Sequence, residues 1–129
     1  MGDRLLVSSG SYLEPIIGFS RAVRVGNIVS VGGTAPIAAG GGTAAKGDVH
    51  GQAKRIFEII GKALENAGTD FEHVTRTRVL LTDMALWEAA ARAHAEIFAD
   101  IRPVTTVMAV TGFVDPDWLI EIEVDAIVG

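Results

Sequence analysis

The carboxylates spaced for acid–base chemistry are Glu121 and Glu123, in the run Leu119 to Val128, LIEIEVDAIV. Alternate residues of a strand share a face and stand about 7 Å apart. Any half-exposed strand of this pattern has that spacing, so the pair alone assigns no reaction. A second stretch, Asp100 to Val110 (DIRPVTTVMAV), sets Arg102 and Pro103 at the mouth of a β-branched run, with the hydroxyls of Thr105 and Thr106 just inside it. Such a stretch is either the rim of a small-molecule site or only the start of a strand. Cysteine is absent, and neither Gly-x-Ser-x-Gly nor Ser-x-x-Lys occurs, which removes thiolate chemistry and leaves covalent acyl transfer without support. His50, His73 and His94 keep no i,i+4 or His-x-x-Glu-His spacing, so no metal is expected. His94 reads as a boundary histidine beside a buried helix stripe. The stretch Pro36 to Gly47, PIAAGGGTAAKG, lacks the following Lys-Ser/Thr of a phosphate cradle; it reads as a surface loop, and no cofactor is expected.

The elements that must position these groups follow from periodicity. Ser20 to Val25 and Ile28 to Val31 flank the turn Gly26-Asn27 as a hairpin, whose second strand ends in Gly32-Gly33-Thr34. Asp48 caps a helix running to about Ala67, with Gly68 as its stop, and Val49, Ala53, Ile56, Ile60, Leu64 and Ala67 form one apolar stripe. His73 to Thr82 alternates as a strand, with Thr75, Thr77, Val79 and Leu81 on one side and Arg76, Arg78 and Leu80 on the other. Thr82 or Asp83 caps a second helix, whose buried stripe is predicted at Met84, Trp87, Ala91, Ala95 and Phe98; Arg102-Pro103 ends it. Asp115-Pro116-Asp117 is a turn. The last strand puts Ile120, Ile122, Val124, Ala126 and Val128 on one face and Glu121, Glu123 and Asp125 on the other.

With a short first strand near Leu5 to Ser9, the order is β-β-β-α-β-α-β-β: a single α+β domain over residues 1–129, in two layers, with both helices on one side of a sheet. The uncovered face then carries three acids, with Arg76 and Arg78 as their counter-charges. Leu80 and Ile127 share it, and a mixed face of this kind suits a subunit interface with polar clefts better than open solvent, with a solvated sheet face as the alternative. A formal charge of −5 and the lack of any Lys/Arg run argue against a nucleic-acid partner. The N-terminus, MGDRLLVSSG, has too short an apolar run for a signal sequence, and no segment approaches bilayer length, so no membrane partner and a cytoplasmic location are expected.

Gly26-Asn27 entering a strand that ends Val31-Gly32-Gly33-Thr34-Ala35-Pro36, the helix with Gln52-Ala53, and Pro103 to Val107 followed by EIEVDAI at 121–127 resemble the RidA/YjgF family, often labelled L-PSP endoribonucleases. The likeness covers nearly the whole chain. It implies a chorismate-mutase-like fold, a six-stranded mixed sheet backed by two helices, closed into a homotrimer with small-molecule sites in the clefts between subunits. Well-studied members hydrolyse reactive enamines and imines to keto acids and ammonia. Carried over by position, the family's water-positioning glutamate falls on Glu121. Its carboxylate-gripping arginine falls on Thr105, its tyrosine on Phe19, its serine on Gly32 and its asparagine on Ala91. Loss of the guanidinium forfeits hydrogen bonds worth about 1.5–3 kcal/mol each, so carboxylate affinity is expected to fall at least about tenfold. Arg102, Arg21 and Arg76 are the cations that could stand in, although a regular strand would point Arg102 away from Thr105. SYLEPIIGFSRAVRVGN at 11–27 and DIRPVTTVMAV resemble a subgroup lacking the arginine. The expectation is a small-metabolite site, with imine or enamine hydrolysis around Glu121. The alternative is a binding or assembly protein that keeps the trimer without the chemistry.

Overall fold

The strands and helices fall where hydrophobic periodicity changes from two to three-and-a-half residues. A computed structural model describes residues 3–129. The elements are β1 (Arg4–Val7), β2 (Ala22–Val25), β3 (Ile28–Thr34), α1 (Val49–Asn66), β4 (Val74–Leu81), α2 (Trp87–Phe98), β5 (Val104–Ala109) and β6 (Ile120–Ile127). The six strands form one sheet in the order β1-β2-β3-β6-β4-β5. Only the β4–β5 pair is parallel, because α2 carries the chain back between them; the other pairs are antiparallel. Among the described residues no helix is long and apolar enough to cross a membrane.

Helix α1 forms as its pattern requires. The Asp48 carboxylate accepts from the Gly51 amide at 3.1 Å, and Val49, Ala53, Ile56, Ile60 and Leu64 are buried against the sheet. On β6, Ile120, Ile122, Val124 and Ala126 point under the helices and are fully buried, while Glu121, Glu123 and Asp125 take the open face. The arginines on β4 answer those acids: Arg76 pairs with Asp125 at 3.8 Å, and Arg78 pairs with Glu123 at 3.3 Å and with Asp125 at 3.5 Å.

Two expectations fail. In α2 the buried positions are Ala90, Ala93 and Phe98, with Leu86, Ala89 and Ile97 packed beside them, whereas Met84, Trp87, Ala91 and Ala95 are exposed. Asp83 caps a tight 3₁₀ turn over Met84–Leu86 through the Ala85 amide, so the regular helix starts only at Trp87. In a segment this rich in alanine, Leu86-Ala90-Ala93-Ile97 is as regular a stripe as the expected one. Thr75 is also exposed, and Val74 is buried in its place, because a register shift in the β4–β6 pairing between Val74 and Arg76 displaces one residue.

Gln52 fixes the entrance to β6. Its side chain is fully buried; Nε2 donates to Asp117 O at 3.0 Å and Oε1 accepts from Leu119 N at 2.9 Å. Helix α1 thereby holds the turn from which Glu121 emerges. Gln52→Leu keeps the volume but strands a partly buried carbonyl and amide, and is expected to cost about 1–3 kcal/mol in urea unfolding. A loss below a few tenths of a kcal/mol would show the clamp to be dispensable.

Candidate functional site

Strand β3 gains a residue against β6 between Val31 and Thr34, and the extra length is Gly32-Gly33. Val31 and Thr34 thus both face the helices, and the bulged backbone leaves carbonyls outside the ladder. Glu121 lies over this bulge: a Cβ on Gly33 would stand 2.8 Å from its Oε1, so only glycine leaves the carboxylate its place. Arg21, 4% exposed, takes the free acceptors. Its Nη1 donates to Gly33 O at 2.7 Å, to Thr34 Oγ1 at 3.0 Å and to Gly32 O at 3.4 Å, and its Nε donates to Ser9 Oγ at 3.2 Å. The Phe19 ring stacks below the guanidinium, 5.2 Å from its carbon.

The charges around Arg21 are balanced from two sides. Burial alone would weaken its cation, and Glu14 and Glu121 oppose that. Burial likewise pushes the Glu14 carboxyl up, but hydrogen bonds from Ser8, Ser9 and Ser11 together hold it below its ordinary value. Glu121 has no such donors. Burial raises its carboxyl above the ordinary range, Arg21 pulls it back and Glu123 adds to the rise. The result is a half-buried acid that holds its proton closer to neutral pH than a surface glutamate, beside a fixed cation. Such a group can give a proton to a substrate and take one from water.

Ala91 and Thr105 lie elsewhere. Thr105 pairs with Thr77 across the parallel β4–β5 register, which puts it on the helix side of the sheet, opposite the face of Glu121. Its Oγ1 is 2.8 Å from Thr77 Oγ1, which is 2.8 Å from His94 Nε2. A cavity of about 100 Å³ between α2 and β5 is lined by Val79, Ala90, Ala91, His94, Thr105 and Val107. Within one chain, therefore, Phe19, Gly32 and Glu121 meet around Arg21, while Ala91 and Thr105 meet around His94. The sequence reading missed the partnership of His94 with Thr77 and Thr105, the carbonyls of the bulge, and Glu14. Only the double glycine carried a signal.

Arg102 does not follow from strand parity. It takes a left-handed φ of 58°, and its amide donates to Phe98 O at 2.9 Å, closing α2 before β5 begins at Val104. Its exposed side chain lines a neighbouring cavity of about 320 Å³ with His94 and Pro103. Arg76 is engaged by Asp125, whereas Arg102 makes no ion pair among the described residues. No group of three or more His, Asp or Glu among them could hold a metal ion.

The sequence pattern of the family described as Endoribonuclease L-PSP matches residues 9–128. The chain belongs to this family. The crystal structure of Rv2704 from Mycobacterium tuberculosis, described as a member of the YjgF/YER057c/UK114 family, matches it with a TM-score of 0.88 at 40% identity, covering 98% of this chain and all of that one. An uncharacterized protein of Streptomyces coelicolor is 41% identical over 93% of this chain and 89% of its own length. The 3-aminoacrylate deaminase RutC of Acinetobacter baylyi is 34% identical over 84% of this chain and 85% of its own. The RidA/YjgF resemblance and the chorismate-mutase-like α+β fold are thus borne out.

The raised Glu121 carboxyl has a consequence for stability. Below the ordinary glutamate range both folded and unfolded chains hold this proton, and above the raised value both have lost it. Between them the unfolded chain ionises first, so stability falls as pH rises through that window and the loss persists above it. Glu121→Gln cannot ionise and is expected to raise Tm at about pH 8 but not at about pH 4. Equal shifts at both pH values would contradict the raised carboxyl.

Proposed function

We propose that this chain assembles as a homotrimer whose inter-subunit clefts bind a small metabolite and hydrolyse an imine or enamine to a carbonyl compound and ammonia, with Glu121 handling the protons. The observation that carries the reading is the half-buried Glu121 carboxyl, held high by burial, seated against Gly33 and within electrostatic reach of Arg21. A protonated Glu121 donates to the β-carbon of the enamine, giving an iminium ion. The carboxylate so formed takes a proton from the water that adds to the nitrogen-bearing carbon, and passes it to the amine nitrogen as the new hydroxyl gives up its own. Cleavage of the C–N bond releases ammonia, leaves the carbonyl oxygen from water, and restores the balance of protons. A relative named for 3-aminoacrylate deamination makes an enamine the natural first substrate.

Two features support assembly. Leu6, Val25, Ile28, Val104, Met108 and Ile127 share the open face and are exposed, an apolar area that a second copy would cover. The separation of Glu121 from Ala91 and Thr105 on opposite sheet faces suits a cleft built from one half of each neighbour. Arg102, in the cavity adjoining that cleft, stays the candidate cation, since Arg76 is paired with Asp125. A second reading, a trimer that binds without turnover, is favoured by the hydroxyl of Thr105 where the family pattern places an arginine. The charge of −5 argues against RNA as substrate.

Ammonia release from 2- and 3-aminoacrylate generated in place, and from uncharged imines, tests the chemistry. The protein is expected to outpace buffer on at least one of them, and Glu121→Gln to lose about 100-fold or more. Light scattering should report about three chains. No acceleration on any substrate, or an unimpaired Glu121→Gln variant, would remove the hydrolase reading and leave the binding protein.

A further inference from the structure

A hydroxyl carries one proton and two lone pairs, so a line of hydroxyls ending at an imidazole has a direction. Thr77 is fully buried and its Oγ1 stands 2.8 Å from both His94 Nε2 and Thr105 Oγ1. With Nε2 bare, Thr77 donates to His94, Thr105 donates to Thr77, and Thr105 turns lone pairs to the cleft. With the proton on Nε2, every donor reverses and Thr105 turns its O–H outward, where Pro103 O at 3.3 Å is its alternative acceptor. Both directions belong to neutral imidazole tautomers. Burial holds His94 below its ordinary pKa, and its ring packs 4.6 Å from Phe98 and 6.1 Å from Phe57, so the neutral forms prevail.

The cleft beside this chain of hydroxyls is otherwise aliphatic. Val79, Ala90, Ala91 and Val107 complete its lining, and no charged side chain is among them. Arg102 lines the adjoining cavity with His94 and Pro103, not this one. About 100 Å³ gives room for a head group the size of a few water molecules. A carboxylate entering it can use Thr105 in one direction only and meets no counter-charge. A carboxamide has both N–H donors and a carbonyl acceptor, so it pairs with Thr105 in either direction and brings no charge to desolvate.

We infer that the Ala91–Thr105 cleft is a receptor for an uncharged hydrogen-bonding group of the carboxamide class, with Thr105 as the contact and Thr77 and His94 as positioning residues that set its polarity. The inference deepens the proposed function by naming the substrate class of the same cleft. It also replaces the arginine's selectivity with its opposite.

The test compares propionamide with propionate, which share a shape and differ in charge, by titrating the ¹⁵N-labelled protein and following the resonances of Ala91, His94 and Thr105. The amide is expected to shift them at concentrations at least about tenfold lower than propionate. Thr105→Val should lose about tenfold of amide affinity with its spectrum otherwise intact, and Thr105→Arg should invert the preference. Propionate binding as tight as the amide, no binding of either, or an unaffected Thr105→Val variant each overturns the inference. A propionate preference lost in Arg102→Ala overturns it in favour of Arg102. Titration involves no turnover, so selective amide binding without ammonia release would remove only the hydrolase reading. Ammonia release with a carboxylate-preferring cleft would remove only this one.

Discussion

A guanidinium removed from water must find acceptors and counter-charge, and the burial of Arg21 organises this molecule. An unbroken ladder would offer it nothing, since strand carbonyls are already paired. The Gly32-Gly33 bulge breaks the β3–β6 ladder where Arg21 needs it, and the freed carbonyls of both glycines turn to the guanidinium. Glutamates complete the balance: Glu14 from the segment before β2, itself held by serine donors, and Glu121 from the start of β6. The bulge therefore does two things at once. It seats the cation, and by lacking a Cβ at Gly33 it admits the Glu121 carboxylate beside it.

Strand β6 carries that local arrangement into the fold. It is the strand that pairs with both β3 and β4, so its helix side forms the centre of the core and its other side meets the arginines of β4. Burial of Ile120, Ile122, Val124 and Ala126 fixes which residues face outward, since a slip of one position would bury the three acids. The Gln52 clamp sets where that alternation starts. Glu121 is thus placed by the hydrophobic effect on its neighbours and tuned by the bulge opposite.

The sequence made legible what depends on local period. Helix α1 with its Asp48 cap, strand β6, the order of elements and the pairing of Arg76 and Arg78 with the open-face acids all follow from alternation or a three-to-four spacing. What escaped were features in which two patterns compete or distant segments meet. The alanines of α2 allow more than one stripe, and a 3₁₀ start decided between them. The left-handed turn at Arg102 is adopted by a residue type that gives no sign of it. The chain from His94 through Thr77 to Thr105 joins residues 17 and 28 positions apart, on a helix and two strands. Family resemblance located Thr105 and Ala91 but says nothing of the imidazole behind them.

The two halves of the candidate site differ in how they tolerate change, and the sheet is the reason. Around Glu121 every polar group is committed: an arginine to three carbonyl or hydroxyl oxygens on one nitrogen, a glutamate to serine donors, a glycine to the space a carboxylate needs. Removing Glu14 or the bulge carbonyls leaves the buried guanidinium without its partners, so the seat of Arg21 is costly to vary. Around Thr105 the lining is aliphatic with one short hydroxyl line, and no charge there depends on another. Replacing an arginine by a threonine on that side changes what can be gripped without disturbing Glu121, because the backbone of β4 and β6 stands between them. In the proposed trimer, chemistry and selectivity are separable because they sit on opposite faces of one sheet and meet only where one copy faces another.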